Sequence, residues 1–88
     1  MNSDQQALFE GATSDLIDYV MRFEGLEMRP AMDVVYRSQL FPKLENPNTG
    51  LYREGPVYLY DMLCTERGRK LPVKKIYEAN RRRSEAVA

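Results

Sequence analysis

Apolar residues recur along this chain in three runs with helical spacing. In TSDLIDYVMRFEG, Leu16, Val20 and Phe23 follow at three- and four-residue intervals, flanked by Ile17 and Met21. Thr13 or Ser14 is placed to cap this helix, and Asp15 and Asp18 suit the positive end of its dipole. Gly25 suits a left-handed stop. In EMRPAMDVVYRSQLF, Met28, Ala31, Met32 and Val35 form an apolar face that Val34 widens, and Pro30 fits a first turn. Pro42 should end or bend that helix just before it, with Leu40, Phe41 and Leu44 forming a short covering turn. A third helix starts at Gly55-Pro56 and turns Leu59, Met62 and Leu63 inward. The pattern predicts an all-α fold whose main helices span roughly residues 14–25, 29–41 and 56–67, with no sheet. Residues 1–12 read as a polar lead-in with a turn or two of helix around Ala7, Leu8 and Phe9.

Between the second and third helices, Asn46-Pro47-Asn48-Thr49-Gly50 is turn chemistry at almost every position, and Gly50 is expected at positive φ. Leu51 and Tyr52 then return the chain to the core. The tyrosines in this stretch raise the question of a stacking surface. Tyr58 and Tyr60 are two residues apart, about 200° around a helix, so at most one faces the core. Their neighbours Glu54 and Asp61 carry the wrong sign for a base-stacking platform. The stretch reads as a corner, with Tyr52, Tyr58 and Tyr60 as candidate interface residues.

After the hinge from Arg67 to Lys70, Val73, Ile76, Tyr77 and Asn80 fall at i, i+3, i+4 and i+7. This predicts a basic C-terminal helical extension with a narrow apolar edge, fraying after Arg83. By composition the chain divides into an acidic helical body, residues 1–70, and the extension, residues 71–88.

Charge sharpens that division. The 13 basic and 13 acidic side chains cancel overall, yet residues 1–66 carry eleven acids against five bases, and residues 67–88 carry two against eight. The extension therefore has three readings: a solvated helix resting on its own body or on a second subunit's, a protein-binding element, or a phosphate-binding one. The last would use Arg67, Arg69, Lys70, Lys74, Lys75, Arg81, Arg82 and Arg83.

Composition removes most catalytic classes. There is no His, so the commonest neutral-pH acid–base group and metal ligand is missing. Cys64 has no imidazole partner, the Ser and Thr hydroxyls have none to activate them, and one Cys cannot build a zinc site. No phosphate-cradling glycine loop occurs. A non-enzyme without cofactor or metal is expected. Cys64 is read as a small core hydrophobe, and the Met residues as packing, with Met28 and Met32 also suited to an adaptable interface. With no long apolar run and no basic start before an apolar stretch, neither a spanning helix nor a secretory signal is predicted. A lone Cys fits the reducing cytoplasm. So small a chain gains from self-association, and Phe9, Phe41, Tyr60 and Ile76 have no evident common burial site in one subunit, which favours a homodimer.

Residues 14–69 resemble a family of small uncharacterised bacterial proteins. The resemblance is carried by Ala31, Asp33, Tyr36 and Ser38 on one helix, then by Lys43 and Leu44. It continues through Thr49-Gly50-Leu51-Tyr52 to Pro56, Tyr58 and Tyr60, and ends at Gly68-Arg69. Gly55 stands where such proteins usually carry Ser before the Pro, and the basic extension lies beyond the family core. Genes of this kind sit beside ones for toxin-like proteins similar to ADP-ribosyltransferases. The resemblance thus implies an antitoxin-like or accessory role without catalytic residues, in a protein-interaction module. A nucleic-acid-binding regulator acting through the extension is the alternative.

Overall fold

The computed structural model describes the backbone of residues 1–87 and the side chains of residues 1–81. Among the described residues there is no strand. The all-α expectation holds among the described residues, with five α-helices where three main helices and a C-terminal helical extension were expected. Five α-helices follow in order: α1 (Ser3–Glu24), α2 (Met28–Tyr36), α3 (Leu40–Glu45), α4 (Pro56–Glu66) and α5 (Val73–Val87). Two short 3-10 turns, Pro47–Thr49 and Leu51–Arg53, join α3 to α4.

Helix α1 begins ten residues before the expected cap. Asn2 is the real N-cap: its side chain accepts from the Gln5 amide at 2.8 Å, and the Gln5 side chain accepts from the Asn2 amide at 3.0 Å. This reciprocal pair satisfies two otherwise orphaned donors. Phe9, Ala12, Leu16, Tyr19 and Val20 then continue one buried face without interruption. Thr13, expected to start the helix, lies inside it and donates to the Phe9 carbonyl at 2.8 Å, which satisfies its buried hydroxyl. The helix does end at Gly25, with φ 67° and ψ 32°, as the sequence predicts.

The second expected helix is two helices. α2 stops at Tyr36, and α3 starts at Leu40. Ser38 marks the break: its hydroxyl donates to the Val35 carbonyl at 2.6 Å and accepts from the Phe41 amide at 3.2 Å. The Gln39 and Leu40 amides donate to the two carboxylate oxygens of Glu66 on α4, both at 2.9 Å. A distant carboxylate thus caps α3, whose amides would otherwise be orphaned. Pro42 is the third residue of α3, where a missing N–H costs nothing, so it helps to begin a helix rather than to end one.

The corner forms as read. Asn46 accepts from the Asn48 amide at 3.0 Å, Thr49 donates to the Lys43 carbonyl at 2.7 Å, and Gly50 takes φ 70°. Tyr52 returns to the core, and its hydroxyl accepts from Gln5 at 3.1 Å, tying the corner to the start of α1. Pro56 is the first residue of α4, whose Leu59, Tyr60, Leu63 and Cys64 are buried. Met62, expected inward with them, is only half-buried against the core.

Helix α5 runs to Val87 rather than fraying after Arg83. Of its predicted apolar edge, Ile76 alone is buried, at 4 % exposure; Val73 and Tyr77 are each 64 % exposed. Leu71, just before the helix, also packs on the core. The four residues offered as grounds for a dimer are accounted for within one chain. Phe9, Tyr60 and Ile76 are buried, and Phe41 packs against the core with its ring 5.7 Å from that of Phe9.

Candidate functional site

Two constructions flank α1. The first joins its C-terminal end to that of α4. Arg67 grips Glu24 through two parallel hydrogen bonds of 2.7 and 2.8 Å, and the Tyr60 hydroxyl donates to the same carboxylate at 2.8 Å. Arg69 stands 3.9 Å away, and the Glu24 side chain is only 3 % exposed. Burial alone would raise the Glu24 pKa, but the bonds from Arg67 and Tyr60, with the charges of Arg67 and Arg69, outweigh it and hold the carboxyl below its ordinary value. Burial, with the bond to Glu24, pushes the Tyr60 phenol well above its own. Cys64 is buried beside them, and burial raises its thiol, so it behaves as a packing group rather than a nucleophile. Among the described residues no buried side-chain nitrogen or oxygen lacks a hydrogen-bond partner. This cluster is a clasp.

The second construction is open. Between α1 and α2 runs a groove of about 590 Å³. One wall is α1, with Thr13, Ile17 and Met21; the other is α2, with Met28, Met32 and Tyr36 on one ridge at intervals of four. Phe9 and Phe41 close one end, where the Tyr36 and Phe41 rings meet edge to face at 5.1 Å. Glu10, Ser14 and Asp18 form the polar rim, and no basic residue lines it among the described residues. Asp18 makes an exposed contact with Arg22 at 3.5 Å, of the i,i+4 kind that contributes little. The walls are apolar and rich in Met, whose unbranched thioether side chains repack around varied shapes. An apolar trough of this size with a few polar groups at its edge is the usual form of a binding site. A smaller hollow of about 250 Å³ lies at Lys43, Asp61 and Glu66, but Glu66 is already committed to the α3 amides.

The residues singled out from the sequence separate on this frame. Arg67 is bound to Glu24, and Arg69 lies beside the pair, so these two belong to the clasp rather than to the extension. Lys70, Lys74, Lys75 and Arg81 are exposed. The side chains of Arg82 and Arg83 lie outside the described residues. Tyr60 and Tyr52 are buried, at 1 % and 4 %, while Tyr58 is 54 % exposed, so α4 divides its two tyrosines between core and surface as the 200° argument requires. Met28, at 60 % exposure, and Met32 stand on the groove wall. The α1 wall escaped sequence reasoning, because Phe9 was assigned to a lead-in; a continuous i, i+4 series from Phe9 through Thr13 and Ile17 to Met21 was the available signal.

Among the described residues no group of His, Cys, Asp or Glu could hold a metal ion, and no helix is long and apolar enough to cross a membrane. In comparisons with protein-family models, curated proteins and solved structures, nothing matches this chain.

Proposed function

We propose that this chain is a non-enzymatic protein-interaction module, and that the groove between α1 and α2 holds an apolar helical segment of a partner protein. The observation that carries this reading is the pairing of Met-lined apolar walls with a rim that is acidic and, among the described residues, carries no base. Such a surface suits an amphipathic helix whose apolar stripe is flanked by Lys or Arg, the helix-in-groove mode of recognition. Met28, Met32 and Tyr36 offer contacts at one-turn intervals, matching a ligand that repeats at i and i+4. The resemblance of residues 14–69 makes a toxin-like protein the first candidate partner, in an antitoxin-like or accessory relation. Tyr36 belongs both to that resemblance and to the groove. A reducing cytoplasm, in which Cys64 stays a thiol, is the setting this reading assumes. The alternative of phosphate binding retains Lys70, Lys74 and Lys75 on the surface but loses Arg67 to Glu24.

The test is affinity capture from the native host with three baits: the unaltered chain, a Met32→Lys variant, and a Lys74→Ala, Lys75→Ala variant. A protein retained after nuclease treatment, and lost with Met32→Lys, supports the groove. Material lost on nuclease treatment and with the lysine variant supports the phosphate-binding alternative and contradicts the groove.

A further inference from the structure

The chain carries a segment with the properties the groove selects. Successive residues of α5 are about 100° apart around its axis. Taking Val73 as the origin, Ile76 lies to one side of it and Tyr77 to the other, so the apolar stripe is wider than the single residue the body covers. Ile76 is buried at 4 %, yet Val73 and Tyr77, about 60° and 100° around the helix from it, stay 64 % exposed. Lys74, one residue on from Val73, and Arg81, one turn on from Tyr77, border this uncovered strip on its far edge. The strip is therefore apolar with Lys74 and Arg81 on its margin and Glu78 one turn on from Lys74, and the groove is apolar with the acidic margin of Glu10 and of Asp18, which also contacts Arg22. Within one chain the strip is unoccupied because Ile76 and Leu71 already fix which side of α5 meets its own core.

We infer that the groove of one copy binds the exposed Val73–Tyr77 strip of α5 on a second copy, with Lys74 beside the Glu10 and Asp18 rim. This rests on the reading of the groove as a helix-binding surface. It deepens that reading in one respect: the free protein masks its own groove by self-association, and a partner protein must displace α5 to bind. Charge complementarity decides between this occupant and an apolar surface taken at random. Another exposed apolar pair, Val57 and Tyr58 on α4, sits among Glu54 and Asp61, which the acidic rim would repel.

The experiment uses two differently tagged copies of the full chain, one with Met32→Cys and one with Tyr77→Cys, mixed at tens of micromolar under mild oxidation. Native Cys64 remains buried and out of reach. The expected result is a mixed disulfide between the two tags, formed about tenfold or more faster than from Met32→Cys with Tyr58→Cys, because docking raises the local thiol concentration. Adding Asp18→Lys to the groove copy should lower the yield, and adding Lys74→Glu to the α5 copy should then restore it, an outcome that misfolding of either variant would not give. Light scattering of the unaltered chain should show a mass well above 10.3 kDa at the same concentration. Equal rates with Tyr58→Cys and Tyr77→Cys, or a 10.3 kDa species throughout, would overturn the inference. The two proposals fail separately. A monomer whose captured partner is still lost with Met32→Lys refutes self-masking and leaves the groove reading intact, whereas a partner indifferent to Met32→Lys refutes the groove reading itself.

Discussion

Toward α4, helix α1 presents Tyr19, Phe23 and Glu24; toward α2 it presents Ile17 and Met21. On the α4 side the Tyr19 and Tyr60 rings meet edge to face at 5.8 Å, and Glu24 is held by Arg67 and Tyr60. On the α2 side the flanking side chains stop short of one another and leave a groove of about 590 Å³. Both sides are largely apolar, so hydrophobicity alone does not separate them. The difference lies in what terminates each contact. A part-buried ion pair fixes α4 at one distance and register, because its bidentate geometry tolerates little displacement. The contact between α1 and α2 is held by apolar packing, with Ala31 and Val35 fully buried, and among the described residues no ion pair joins the two helices; Met side chains line the open groove beside it. One side of α1 thus carries an ion-paired clasp, and the other carries an open Met-lined groove above the fully buried Ala31 and Val35, an arrangement suited to a docking surface on a packed support.

Removing the lock should have the largest effect. Glu24→Ala leaves Arg67 and Tyr60 without their acceptor at a nearly buried position, and about 2–4 kcal/mol of unfolding free energy should be lost in urea titrations. A loss below about 0.5 kcal/mol, the range of ordinary surface changes, would show that the two sides are equally loose.

The same carboxylate gives a pH signature. Its folded pKa is depressed, so its contribution is complete above the ordinary carboxylate range of about 4 and declines as pH falls through the depressed value. The stability difference between the unaltered chain and Glu24→Gln should therefore shrink on acidification and stay level from there up to neutral pH. A difference that grew with acid would contradict the assignment.

Smaller effects test the remaining supports. Glu66→Ala should cost about 1 kcal/mol by uncapping α3, and hydrogen exchange at the Gln39 and Leu40 amides should quicken. Gly50→Val should also cost about 1 kcal/mol or more. The space beside Gly50 is open, so this loss measures backbone strain at φ 70° alone, and an unchanged melting temperature would contradict it. Least of all, Met32→Lys in the groove should change stability by no more than about 0.5 kcal/mol, while removing whatever binds there.

What was legible in the sequence follows from how local each signal is. Gly25, Gly50 and Pro56 act through their own backbone, and all three stand where the sequence places them. The split of Tyr58 and Tyr60 between surface and core follows from helical rotation alone. Thr13 misled because a hydroxyl residue before an apolar run is equally compatible with a cap and with a back-bonded position inside a longer helix; the Asn2 and Gln5 pair decides it. Pro42 misled because a first-turn Pro and a terminating Pro look alike until the Ser38 break is seen. The Glu24–Arg67 clasp and the Glu66 cap join residues 43 and 26–27 positions apart, and no local pattern announces either. Arg67 was grouped with the basic extension for this reason. The groove was half legible: Met28 and Met32 signalled an adaptable surface, but its other wall needed the true start of α1.

The most direct measurement follows the five Met methyl groups by NMR in a chain labelled only there, before and after addition of the captured partner protein. Met21, Met28 and Met32 line the groove; Met62 packs elsewhere against the core, beside the smaller hollow. The account predicts that the signals of Met21, Met28 and Met32 shift together while that of Met62 stays in place. Binding that moves Met62 and leaves those three unchanged would contradict it.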